Sequence, residues 1–348
     1  MQVSASPKTA VLAGPQHAAG RVHDLSVSRT PASRTAVVLA FLAIYVIWGS
    51  TYLAIWYAVR SIPPLYTAGL RHLIAGTTLL VWALAKGQKP TWAQIRASVV
   101  IGLLFFLVGH GTLHWAETQI PTGLASLLMA SEPIWVFLLA CATEKRWRMN
   151  GFLLSGVALG LGGVALLMGR DVWSAGRGVF LGALACLIGA VSWSAGVIYS
   201  RRSELYGSPL LASALSLLAG SVMLLLTATL LGEYRGFSLA AVPLGSWLAL
   251  GYLVLFGSVI AFTAYNWLLE HYSPTLVATH TYINPIVAVL LGWWLANERV
   301  SLNVMASAAM VVAAVFLVDR GMARFHKKPA ASVRRVSSET DSAVGASN

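Results

Sequence analysis

Residues 116–126 read AETQIPTGLAS, and residues 269–279 read LEHYSPTLVAT. The two segments share Glu117 with Glu270, Pro121 with Pro274, Thr122 with Thr275 and Ala125 with Ala278. Downstream, EPIWV (132–136) is answered by NPIVA (284–288). Upstream, IWGST around Trp48 parallels VSWSA around Trp193, and LIAG (73–76) parallels LLAG (217–220), following Pro64 and Pro209 respectively. The offsets lie near 145–153 residues throughout, so the chain consists of two related halves.

What each half is made of follows from composition. Of 348 residues, 57% are hydrophobic and only 10% charged, with mean hydropathy +0.72. A water-soluble domain carries about a quarter of its residues charged. Most of this surface must therefore face lipid. A bilayer core of about 30 Å takes about 20 apolar helical residues to cross. Such runs are expected at 36–59, 65–85, 95–115, 121–143, 150–169, 178–200, 209–231, 244–269, 275–296 and 302–319. They lack the alternation of barrel strands, and lipid tolerates no unpaired backbone, so they read as helices.

The expected fold is an all-α membrane protein: ten transmembrane helices as two five-helix inverted repeats, 36–170 and 177–320. With an odd number of spans per half, the second half enters the membrane from the opposite side, an architecture many secondary transporters share. A repeat that only stabilises a bundle is the competing reading. Residues 1–35 and 321–348, polar and without periodicity, read as disordered tails. No small-residue cleavage site closes the first apolar run, so a cleaved signal peptide is not expected.

The net charge of +12 is distributed by side of the membrane. Eighteen Lys and Arg fall in the tails and the even-numbered loops; five (Arg60, Arg170, Arg177, Arg235, Arg299) fall in the odd-numbered loops, and Arg71 lies within a span. Basic residues mark cytoplasmic loops, which places both termini in the cytoplasm. The charge is therefore a topology signal, and no nucleic-acid partner is expected. Cys141 and Cys186 lie in apolar spans and form no disulfide or zinc framework.

The run WGSTYLAIWYAVRSIPPLYTAGLRHLIAG (48–76), the Pro-Thr entry to span four and NPIVAVLLGWWLANERVSLNVMASAAMVV (284–312) resemble the EamA family of the drug/metabolite transporter superfamily, over residues from about 36 to 320. The resemblance implies a ten-helix inner-membrane carrier, usually an exporter of amino acids or related metabolites. The small multidrug-resistance relatives carry a coupling glutamate in their first span. Here that span, IYVIWGSTYLAIWYAV, is uncharged.

Polar residues inside the spans are the candidate substrate pathway. Glu132 sits near the middle of span four, where an acid costs about 2.5–3.5 kcal/mol on insertion scales and marks a functional site by default. Pro133 removes an amide and frees the carbonyl of Met129; Asn284 and Pro285 repeat the device in span nine, freeing that of Thr281. Two helix breaks are expected there. Alternatively, Glu132 is a protonated structural residue. Arg71, in span two, either caps a carbonyl or pairs with Glu132 or a substrate carboxylate. His110, His114 and Glu117 share one face of span three. That triplet could hold zinc, but HGTLHWAE lacks the H-E-x-x-H signature, so no metal is expected. His114 aligns with Asn266 as pathway lining. Trp48, Tyr52, Trp135, Trp193 and Tyr282 are candidates to line a cavity.

The leading expectation is a secondary carrier exporting small metabolites, amino acids or drugs among them, by alternating access, with no cofactor beyond a proton that Glu132 is a candidate to carry. Its partners are a small-molecule metabolite and the lipid bilayer, as monomer or homodimer. No G-x-x-x-x-G-K-[ST] loop supports an ATP-driven pump. A membrane-embedded enzyme would have to use His110, His114 and Glu117. A scaffold or receptor would not need two inverted halves with central polar breaks.

Overall fold

The computed structural model describes residues 33–143, 150–169, 172, 174–200, 203, 208–272, 277 and 279–326. Most of both expected tails, and the basic loop residues Lys145, Arg146, Arg148, Arg170, Arg201 and Arg202, lie outside the described residues. All the elements found among the described residues are helical. They run as α1 (Arg34–Val59), α2 (Pro64–Ala85), α3 (Trp92–Ala116) and α4 (Thr122–Met129 and Glu132–Thr143), then α5 (Gly151–Leu167), α6 (Arg177–Ser200) and α7 (Pro209–Leu230). After a short turn come α8 (244–271), α9 (His280–Leu295) and α10 (Leu302–His326).

Seven of these segments, α1–α4 and α6–α8, contain helix long and apolar enough to cross a membrane. The apolar parts of α5 and α10, Gly151–Leu167 and Leu302–Val318, are shorter, and α9 has 16 residues. Apolar runs alone could not show this. Asn150 caps α5 through Leu153 N (3.0 Å), so that helix starts where the run starts. In α9 the described helix is His280–Leu295, preceded by a turn at Thr279 and a helical Val277.

Local signals set the other boundaries too. Ser33 caps α1, Thr91 and Gln94 form a reciprocal capping box on α3, and Ser208 caps α7. Each such cap satisfies an orphan amide and is worth about 1 kcal/mol. At the far ends of α2 and α7 the chain turns through Gly87 (φ +75°) and Gly232 (φ +72°), a left-handed conformation that favours glycine. In both, the glycine amide and the next one bond back to the last turn: Gly87 to Leu84 and Gln88 to Ala83, Gly232 to Thr229 and Glu233 to Ala228.

The residue after each of these glycines then reaches the start of the other helix. Glu233 accepts from the amides of Leu65 (3.1 Å) and Tyr66 (3.3 Å) at the start of α2. Gln88 accepts from the Ser208 hydroxyl at the start of α7.

Helices pack closely through small residues, as they must where lipid offers no hydrophobic drive for association. The most extensive contacts are α2 with α7 and α5 with α10. Both pairs are antiparallel. A Cβ on Gly69 would meet Leu225 at 2.7 Å and one on Gly76 would meet Leu218 at 2.9 Å. Likewise one on Gly156 would meet Val318 at 2.9 Å and one on Gly163 would meet Val311 at 3.0 Å. The largest buried cluster lies between α1, α3, α4, α5, α6 and α8, around Ile55, Leu113, Leu127, Leu128, Cys186 and Leu253.

Three helices widen into π-helix, at Ala43–Ile47 in α1, Gly102–His110 in α3 and Leu253–Ile260 in α8. The stretches in α3 and α8 occupy corresponding places in the two halves. Widening leaves carbonyls without their normal partners and is frequent at functional sites.

Candidate functional site

The polar side chains inside the bundle are largely engaged with those widened stretches. The Trp48 indole donates to the carbonyl of Gly257 (3.0 Å), and Arg71 Nε donates to the Ser258 hydroxyl (2.9 Å), both within the α8 stretch. A Cβ at Gly257 would lie 2.9 Å from Thr51 Cγ2 and 3.1 Å from Arg71 Nη2, so only glycine leaves room for this approach. The Asn284 amide, with its nitrogen turned toward α1, has three carbonyls within reach of its two N–H groups, those of Ile44 (3.2 Å), Tyr45 (3.1 Å) and His280 (3.1 Å). In α3 the Ser192 hydroxyl donates to Leu104 O (2.8 Å), and His114 Nδ1 donates to His110 O (2.7 Å).

Around the α3 stretch the rings form a column. Phe105 stacks on Trp193 (centroids 4.2 Å, 18°), Trp193 on His110 (5.1 Å, 24°) and His110 on His72 (4.9 Å, 25°). His110 Nδ1 and His72 Nε2 are 2.9 Å apart, so one donates to the other. Trp48 is packed by Tyr265 and His280.

The α4 break is real but lies two to three residues before Pro133, at Ala130–Ser131 between the two helical pieces. Local hydroxyls and the Trp135 indole hold it. Ser131 donates to Leu128 O (2.6 Å), the Trp135 indole donates to the Ser131 hydroxyl (2.9 Å), and Ser194 donates to the carbonyl of Glu132 (3.1 Å). The second expected break is corrected by the structure: Pro285 lies inside the continuous helix His280–Leu295. The helix starts so shortly before it that one missing amide does not interrupt the later turns. Tyr282 packs beside Ala130, Val311 and Val315.

The charged groups are brought near one another without touching. Arg71 is 4% exposed and Glu117 2%, each within electrostatic reach of the other. Tyr52 stands within reach of both Glu117 and Glu132. Glu132 is half-buried, and its described hydrogen bond is through its carbonyl. His110, His114 and Glu117 do not converge as a ligand set; among the described residues no three His, Cys, Asp or Glu side chains do. The side chain of Asn266 lies outside the described residues.

Sequence reasoning gave His72 no role and missed Ser258 and Glu298. Glu298, in the turn before α10, accepts from the amides of Thr122 (2.6 Å) and Gly123 (3.1 Å) at the start of α4. The motif that signals this cap is the Pro-Thr-Gly entry, which in the sequence marks the repeat and the family resemblance. Two surface recesses, one at Trp293 and Asn297–Val300 and one at Val59–Pro63 with Glu233 and Arg235–Phe237, lie at the same end of the bundle. Neither is lined by Arg71 or Glu132.

The profile of the EamA-like transporter family matches residues 35–169 and again 180–319. An "Uncharacterized inner membrane transporter YedA" of Escherichia coli (strain K12) is 38% identical over 83% of this chain and 92% of its own. The "Uncharacterized transporter YoaV" of Bacillus subtilis (strain 168) is 23% identical over 81% and 96%. A crystal structure superposes with TM-score 0.58 at 23% identity over 85% of this chain and 100% of its own, a likeness of fold alone. With both halves matched and a close relative aligned along most of its length, the chain belongs to the EamA-like transporter family and is a multi-pass transporter of the inner membrane.

Proposed function

We propose that the protein is a secondary carrier that exports small metabolites, amino acids or related compounds and drugs among them. It does so by alternating access, with substrate held near the membrane midplane between two inverted five-helix repeats. The observation that carries this reading is the antiparallel pairing of corresponding helices, α2 with α7 and α5 with α10. A two-fold axis in the membrane plane generates such pairs, and it generates two nearly equal packings, one open to each side. The exchanged caps of Glu233 and Gln88, the matched π stretches and the doubled family match support it as well. Ten spans then alternate across the bilayer, with α5, α9 and α10 as its short members and both termini cytoplasmic.

In this reading Arg71, Tyr52 and Glu132 face substrate from α2, α1 and α4, while Asn284, Trp48 and His114 shape the helices around it. Glu132 is the candidate to recognise a cationic group. The test is flux of a metabolite panel into proteoliposomes, with and without a pH gradient. Glu132→Gln keeps size and hydrogen-bonding capacity but loses charge. It is expected to lower flux of the transported solute about tenfold or more, the scale of one lost charge-assisted contact. Normal flux with a normal pH response would leave Glu132 a neutral residue holding helices together.

A further inference from the structure

Glu117 is a buried acid at the end of α3. It follows the last residue of α3 and is 2% exposed, and neither carboxylate oxygen accepts a hydrogen bond among the described residues. Its neighbour Glu298 is the opposite case, with both oxygens bonded to helix-start amides. One turn earlier, the wholly buried His114 donates through Nδ1, which leaves Nε2 an acceptor, and that atom also lacks a donor. Three acceptor atoms therefore lie buried along one face with no proton to share.

The groups facing Glu117 relieve it only in part: burial and Glu298 disfavour its charge more than Arg71 and the Trp56 amide favour it. From α1 comes Tyr52 with the Trp56 peptide, from α2 Arg71, from α6 Cys186, and from the turn before α10 Glu298. Arg71 has its Nε on Ser258, and Glu298 adds a like charge. An ionised carboxylate without donors is among the costliest groups to bury, whereas the protonated acid carries no charge and supplies its own donor.

We infer that Glu117 is a proton-binding site, filled while the Glu298 end of the bundle is closed and emptied when that end opens to water. Closure is visible in named contacts. Glu298 holds the start of α4, the Tyr57 hydroxyl donates to Leu295 O (3.2 Å), and Ser246 donates to Tyr57 O (2.9 Å). Glu117 lies in the turn between α3 and α4, so parting α4 from the α9–α10 turn would hydrate its carboxyl. The opening rests on the carrier reading; the proton on the closed form does not.

The test uses the full chain in lipid nanodiscs, in two measurements. Infrared titration should show a carboxylic-acid carbonyl band at neutral pH that Glu117→Gln removes and Glu132→Gln leaves. Thiol labelling of Ile120→Cys, buried three residues beyond Glu117, should then report opening in a background carrying Cys141→Ala and Cys186→Ala, which adds no donor near the carboxyl. With each rate divided by that of the same cysteine in unfolded protein at the same pH, which removes the thiol's own ionisation, one proton released on opening should raise labelling about tenfold per pH unit between the two ionisation points, and Glu117→Gln should flatten it. Should Glu117→Gln not fold, Glu117→Asp keeps the acid and must shift both the band and the labelling midpoint. The inference is overturned if no neutral-pH acid band depends on residue 117, or if Glu117→Gln labels with an unchanged slope. The expected band with no solute flux would instead count against the carrier reading.

Discussion

At the scale of the residue, Asn284 shows how a polar side chain in a membrane can be fully engaged without a ligand. Its two amide hydrogens have three carbonyls within reach, two of them in the widened turn of α1. From position alone it pairs with Glu132 as a substrate contact; the geometry makes it a clamp between α1 and α9. Asn284→Ala should therefore destabilise the protein by about 1–3 kcal/mol, the cost of leaving buried polar groups unsatisfied. Thermal unfolding in detergent measures this. A variant with an unchanged midpoint and weakened solute affinity would return Asn284 to the pathway.

At the scale of the element, the ends of α2 and α7 carry the same turn but different chemistry. Gln88 is neutral, whereas Glu233 places a carboxylate on the first amides of α2. Half-burial pushes the Glu233 carboxyl above its ordinary range, while the Leu65 and Tyr66 amides pull it the other way. A group raised on folding contributes stability that is complete below its unfolded pKa and lost as pH rises through the folded one. Wild-type stability should thus decline across that window. Glu233→Gln should lack this component of the decline and be the more stable form at alkaline pH. Unfolding midpoints measured across pH check the sign, and a less stable Glu233→Gln at alkaline pH would mean that the helix-start amides outweigh burial.

At the scale of the whole molecule, the contacts of Glu298, Glu233 and Tyr57 gather at one end of the bundle, and those of Gln88 with Ser208 and Asn150 with Gly321 at the other. By the charge distribution the first end is expected to be external. Single cysteines added to intact cells' protein should follow: Ser174→Cys labelled by an impermeant reagent, Lys89→Cys protected. The reverse pattern would invert the topology. If the halves rock about the centre, a crosslink between Tyr57→Cys and Leu295→Cys should stop turnover, and so should one between Gln88→Cys and Ser208→Cys. Unchanged turnover with either bond formed would exclude rocking of the halves.

The apolar runs, the doubled Pro-Thr segments and the side-biased arginines were enough to establish a membrane-embedded helical transporter, because lipid dictates helix and composition dictates lipid. Helix starts were legible where a Ser, Thr, Asn or Pro stood at the boundary, since capping is a local interaction. The site was legible only as a set of suspects. Glu132, Arg71 and His114 stand out because polar groups are costly in lipid, but what each does depends on its partner. Arg71 meets Ser258 from 187 residues away, and Asn284 meets Ile44 only because α1 widens there. Nothing in a sequence period announces a π turn, whose cost is met by side chains from other helices. Glu117 was legible only as a member of a face shared with His110 and His114; its want of a donor is a property of the packed interior, which only the tertiary structure decides.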